Sequence, residues 1–318
     1  MSRLRCALGW SGLAALLVAP SLSAEESTLW LERMAQAARE QSYHGAYVYE
    51  RSGIFTTQNI WRKADDDGVQ ERLLQTAGPH QEWVRRDGQL TCATTLSQGK
   101  AGQGIPELDT DSAQLADWYG LRVLGSTRIA SRPVTVISLQ PRDAFRYAYE
   151  LYLDNETGLM LKSLLVDERR ELLERFQFAA ISFNTPSRED LAPSTSCLEL
   201  DAVENVSAEL VNFWKPAWLP PGFVLGHQQV QTLKDADSRI TAQIYSDGLA
   251  RFTLFVEPLG KDSLAEDLRA QLGPTVAVSR RLMAADNLYL ATVVGEIPPI
   301  TAERIVESLS ESIDGAQR

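Results

Sequence analysis

The histidines that could serve as a base or a zinc ligand are His44, His80 and His227. These stand far apart, with no HExxH or His-x-His spacing. The run Asp65, Asp66, Asp67, Gly68 has the residue types of a calcium loop but not its order. An EF-hand needs acids at alternate positions, glycine sixth and a distal glutamate, whereas here glycine is fourth. A solvated hairpin turn suits it better. No GxSxG elbow, Walker loop or GxGxxG follows a strand pattern. The expected protein is therefore not an enzyme and carries no metal and no cofactor.

Aromatic side chains offer a different chemistry. Tyr47, Tyr49, Phe55, Trp61 and Trp83 crowd the first strand-like runs. On a curved sheet such a face either packs as core or lines a cleft able to take acyl chains. A second group, Trp214, Trp218 and Phe223 with Arg251 further on, surrounds prolines 216, 220 and 221. That stiffened loop can plug a domain junction or present a surface to a partner.

These groups need elements to hold them. Residues 1–24 read as a secretory signal: Arg3 and Arg5, an apolar stretch shorter than a membrane span, then small residues up to Ala24. The expected mature chain starts at Glu25, soluble in the periplasm or outside the cell. Cys6 leaves with the signal, so Cys92 and Cys197 remain as a candidate disulfide or as two separate thiols. A bridge closing a loop of that length would contribute about 4–5 kcal/mol.

A helix is expected first, capped by Ser27 or Thr28, with Leu31, Met34, Ala35 and Ala38 on one face. The period then falls to two. Strands are expected at 43–49, 54–63, 69–75, 81–86, 89–95, 121–129, 133–140, 145–154 and 171–183, with a returning strand near 160. A short helix is expected at 112–119. Ser52-Gly53 and Asp87-Gly88 mark hairpins, and another turn is expected around Ser131 and Arg132. No helix-length segment separates most strands, which excludes a parallel βαβ fold. Residues 186–210 read as a linker. Beyond it come strands at 241–246, 249–257, 276–283 and 288–294, a helix over 261–271 and a final helix from Thr301 bearing Ile305, Leu309 and Ile313.

Length and charge agree with this division. A chain of 318 residues is long enough for two cores, and 44% hydrophobic content is ordinary for globular domains. With 31 basic against 42 acidic residues the net charge is −11, which repels phosphate backbones and excludes general nucleic-acid binding.

Several phrases, taken in order, resemble one family: GAYVYER at 45–51, QPRD at 140–143 with Arg146 and Tyr147, and TGL at 157–159 leading to KSLL at 162–165. LERFQF at 173–178, WLPPGF at 218–223, YSDGLARF at 245–252 and QLGPT at 271–275 continue the series. They resemble the MucB/RseB family, periplasmic regulators of extracytoplasmic-function sigma factors. The resemblance implies an α+β, mainly antiparallel fold. A large LolA/LolB-like unclosed β-barrel domain with helices (25–185) would precede a smaller C-terminal antiparallel sheet domain with a helix (211–318).

It also implies a partner, the periplasmic segment of a membrane-spanning anti-sigma factor of MucA/RseA type, shielded from site-1 proteolysis. Lipopolysaccharide or mislocalised lipoprotein acyl chains would release it, with Arg85 and Arg86 available to the phosphates of lipid A. A homo-oligomer is compatible with the pattern. A lipid or lipoprotein carrier of LolA type is the alternative.

Overall fold

The computed structural model describes residues 21–78, 80–94, 112–200, 214–232, 239–260, 266–284 and 287–316. A helix, α1 (Ser21–Glu40), opens the chain. It does not start at a Ser27 or Thr28 cap. Ser27 lies within it and is fully buried, and the helix runs through the position after Ala24 where cleavage is expected. Leu31, Met34 and Ala37 face the core, so the inward stripe passes through Ala37 rather than Ala35 and Ala38.

Five strands follow as a meander: β1 (Tyr43–Arg51), β2 (Ile54–Asp65), β3 (Gly68–Gln75), β4 (Glu82–Arg86) and β5 (Gln89–Ala93). Their hairpins sit where the turn chemistry demands. Ser52 and Gly53 have φ of 52° and 75°, and Asp87 and Gly88 have 49° and 76°, the paired positive angles of a two-residue hairpin loop. After α2 (Ser112–Trp118) a second meander runs through β6 (Tyr119–Ile129), β7 (Arg132–Pro141), β8 (Ala148–Asp154), β9 (Met160–Val166) and β10 (Leu172–Ser182). The β6–β7 turn is made by Ala130 and Ser131, φ 47° and 65°, one residue earlier than the sequence suggests.

The strands assemble into one eleven-stranded antiparallel sheet, with β10 beside β1 joining the two meanders. Among the described residues the edge strands are β6 and β11 (Leu198–Glu199), which do not pair, so the sheet is unclosed there. Its inner face and α1 enclose a core centred on Tyr43, Tyr47, Phe176 and Phe178, with several of these rings meeting edge to face. Arg62 fastens the helix to the sheet. Its guanidinium donates to the Ala38 and Gln41 carbonyls at the C-terminal end of α1 and to Glu71 at 3.0 Å. An Arg62→Ala variant should lose about 1.5–3 kcal/mol, the range for hydrogen bonds from a charged group, read as a lower urea midpoint with unchanged m-value.

The expected linker is structured over its first half. Ser187 caps α3 (Arg188–Leu191) in a reciprocal capping box with Asp190. Cys197 is disulfide-bonded to Cys92, their Cα atoms 5.7 Å apart, and β11 pairs with β5 through Leu198 and Glu199. Fully buried Glu82 accepts hydrogen bonds from the Ser194 backbone and hydroxyl and from Arg72 at 2.7 Å. These contacts strap residues 187–199 across β3–β5. Proline and serine content reads as a linker because neither the bridge nor the partner of Glu82 is visible in local composition.

The second unit is a six-stranded antiparallel sheet ordered β12 (Val224–Thr232), β13 (Arg239–Ser246), β14 (Arg251–Leu259), β17 (Asn287–Gly295), β16 (Thr275–Ala284) and β15 (Leu268–Leu272). Helix α4 (Pro299–Ala316) buries Ala302, Ile305, Val306 and Leu309 against it. The side chain of Ile313 lies outside the described residues. The helix expected over 261–271 is corrected: within the described part, residues 268–272 form edge strand β15. Leucine, alanine and leucine alternating with arginine and glutamine is a period of two, and Gly273, φ 59°, turns the chain into β16.

Candidate functional site

The two units meet at a seam made by the turn that follows β13. Asp247 Oδ1 accepts the backbone N–H groups of Leu249 (3.0 Å) and Ala250 (2.7 Å), which closes the turn. Its Oδ2 is thereby aimed out of the small unit, and Arg146 of the large unit donates to it from Nη1 at 2.6 Å. Both side chains are fully buried. The other donors of Arg146 are used as well, Nη2 on the Pro221 carbonyl at 2.6 Å and Nε on Asp143 at 3.2 Å.

The rings of Trp118, Tyr119 and Phe223 surround the guanidinium with centroids at 5.9, 5.5 and 5.2 Å. The Tyr119 hydroxyl donates to Asp247 at 3.3 Å. Leu249, at the tip of the turn, packs into the core of the large unit. Burial pushes the Asp247 carboxyl above its ordinary value, against the pull of Arg146, and holds the Tyr119 hydroxyl well above its own.

A second ionic contact lies at the end of β1. Arg51 Nη2 donates to Glu174 at 2.7 Å and also to Glu296 of the small unit, while Nη1 donates to Thr275 Oγ1 at 2.9 Å. The Tyr49 hydroxyl donates to the same Glu174 oxygen. Further along, Thr301 Oγ1 donates to the Phe145 carbonyl at 3.1 Å. Phe145 stacks edge-on to Trp218 at 5.0 Å, beneath Arg304, which lies 4.0 Å over the indole.

The proline-stiffened loop plugs this junction. Trp214 and Phe223 are buried in the small unit's core, packed on Tyr289 and Phe252, and Trp218 is half-buried at the seam. Arg251 is exposed on β14, its carbonyl accepting the Glu296 N–H at 3.2 Å. Gly222 belongs to the same loop. It has φ +87°, and a Cβ there would sit 2.3 Å from Trp118 Cε2. A Gly222→Ala variant should lose about 1–3 kcal/mol through overpacking and show a changed near-ultraviolet signal from Trp118.

The five candidates for an acyl cleft divide between the two faces of the large sheet. Tyr47, Tyr49 and Trp83 point inward and are already packed, Tyr47 with its hydroxyl on Gln58. Phe55 and Trp61 fall on the opposite face by register. Phe55 is 61% exposed and Trp61 lies under the Arg72 guanidinium at 5.1 Å. No single cavity is lined by all five. Arg85 is half-buried 4.0 Å from Glu71, and Arg86 is exposed. The seam residues Arg51, Arg146, Glu174, Asp247 and Glu296 were missed as a group. Each lies in an aromatic or apolar run, and a lone charge in such a run is the signal that could have found them.

Comparison with known proteins identifies both units. The family model described as MucB/RseB N-terminal domain matches residues 26–196, and the one described as MucB/RseB C-terminal domain matches 209–310. The chain belongs to the MucB/RseB family. It is 42% identical over 303 residues to the sigma factor AlgU regulatory protein MucB of Pseudomonas aeruginosa, covering 93% of this chain and 95% of that one. The sigma-E factor regulatory protein RseB of Escherichia coli K12 is 31% identical over 293 residues, 88% of this chain and 89% of its own. A crystal structure of MucB in complex with MucA(peri) superposes with a TM-score of 0.73 at 41% identity, over 89% of this chain and 97% of that one. The seam uses phrases that carry the MucB/RseB resemblance: Arg51 closes GAYVYER, Arg146 follows QPRD, Gly222 lies in WLPPGF and Asp247 in YSDGLARF.

Proposed function

We propose that this chain is a periplasmic negative regulator of an extracytoplasmic-function sigma factor, holding the periplasmic segment of a membrane-spanning anti-sigma factor and shielding it from site-1 proteolysis. The observation that carries this reading is similarity along both domains to MucB, a protein solved in complex with MucA(peri). The signal-like first 24 residues support export, and no helix among the described residues is long and apolar enough to cross a membrane. Release by lipopolysaccharide or lipoprotein is a linkage. The effector must bind the free regulator better than the complex, and acyl burial at about 0.8 kcal/mol per CH₂ can supply that difference. Since Tyr47, Tyr49 and Trp83 are already packed, an acyl chain on the inner face would have to displace them.

The alternative is a lipid carrier using the large unit alone. The ion pairs that fuse the second unit to the first weigh against it, because a carrier has no use for them. Titration calorimetry of residues 25–318 with the anti-sigma periplasmic segment, with and without lipopolysaccharide, tests the reading. Binding that lipid weakens supports the regulator. Lipid capture without partner binding supports the carrier.

A further inference from the structure

Two carboxylates from different domains share one nitrogen at the seam. Glu174 on β10 and Glu296 after β17 both accept from Arg51 Nη2, and the second amino group of that guanidinium is committed to Thr275. We propose that the seam is a proton-operated clamp: docking of the domains takes up a proton at Glu296, where it meets Arg51 and Glu174, so the domains hold together more tightly in mild acid than at neutral pH. Two carboxylates drawn to one guanidinium cannot both stay charged as easily together as apart.

The surroundings agree. Arg51 and Glu174 have side chains 13% and 11% exposed, so solvent screens their charges poorly, and Glu296 at 30% is only partly open. The groups facing Glu296 are Arg51 and Tyr49 on β1, Glu174 on β10, Arg251 on β14, Tyr147 just before β8 and Tyr149 on it. Arg251 is exposed and offsets the acids weakly. The Tyr147 hydroxyl is buried and, among the described residues, has no hydrogen-bond partner; it is pushed up to about 12 by burial and then by Asp167 and Glu296. Enclosure and the Glu174 charge push Glu296 above its ordinary value, against Arg51 and Arg251.

The sign follows. When the docked value is the higher one, the stabilisation is complete below the ordinary glutamate value and is lost as pH rises through the docked value. Asp247 shifts in the same direction, from a lower starting point. One proton taken up changes the docked-to-open ratio by at most about tenfold per pH unit.

Small-angle scattering of the two-domain chain at fixed, sub-denaturing urea, from pH 8 to pH 5, reads that ratio directly. The wild type should become more compact as pH falls. Glu296→Gln should be compact throughout with its slope mostly abolished, while Glu156→Gln, on an exposed ion pair away from the seam, should keep the wild-type slope. Should Glu296→Gln fail to fold, Glu174→Gln should lower the slope, because the charge that helps hold a proton on Glu296 is gone. A flat or inverted wild-type profile overturns the clamp, and so does an unaltered slope in the glutamine variant.

Discussion

Replacing Arg146 with methionine is expected to cost the folded chain about 3–5 kcal/mol, the range for stripping one partner from a buried ion pair. The reason is what is left behind. Asp247 is fully buried, and without Arg146 its Oδ2 keeps, among the described residues, just the Tyr119 hydroxyl at 3.3 Å. The Pro221 carbonyl loses its donor too. The urea midpoint should fall, and scattering should show the two units separating before either unfolds. Asp247→Asn, which retains an oxygen for the Leu249 and Ala250 N–H groups, should be milder. The double variant should sit well above the sum of the singles, because neither charge is then buried alone. Strict additivity would mean that the pair contributes nothing as a pair.

Loss of the Cys92–Cys197 bond is the second large effect. The bridge spans 105 positions, and constraining a loop of that size contributes about 4–5 kcal/mol through the unfolded chain. A Cys92→Ala, Cys197→Ala variant should unfold at correspondingly lower urea. Its losses in amide-exchange protection should concentrate on β4, β5 and β11, where the bridge holds a two-residue edge strand in place. Equal midpoints for oxidised and fully reduced wild type would refute this account. The same comparison tells which native contacts survive without the bridge: Glu82 still has Arg72 and Ser194, so α3 should stay bound.

Much of this architecture is legible in the chain because its signals are local. Two-residue turns with paired positive φ, such as Asp87-Gly88, and the two-residue period of Tyr43, Gly45, Tyr47 and Tyr49 specify hairpins without reference to anything distant. The same locality explains the errors. A serine before an apolar stripe is a common helix cap, but α1 begins at Ser21 and passes through Ser27. The segment 261–271 looked helical by polarity, although its last residues alternate as an edge strand. The seam was harder to see: Arg51 meets Glu296 across 245 positions and Arg146 meets Asp247 across 101. Nothing near either residue in the chain announces its partner. The aromatic clusters were found, but their meaning depends on which face of the sheet they occupy. One register step separates Tyr47, which is core, from the side that carries Phe55.

The adjacency of β1 and β10 bears on how fast the large domain can form. β1 pairs with β2 across one tight turn, and β10 pairs with β9 almost as locally. The ladder that unites the two meanders, with Tyr47 opposite Phe178 and Tyr49 opposite Phe176, joins residues more than a hundred positions apart. Closing a loop of that size is paid in chain entropy before any contact rewards it, so each meander should zip early and their union should limit the rate. Until then the inner aromatics of both halves face water, and the half-formed sheet exposes β1 and β10 as open edges on which another chain could template. The central seam of the finished sheet is thus the place where its folding is slowest and most open to misassembly.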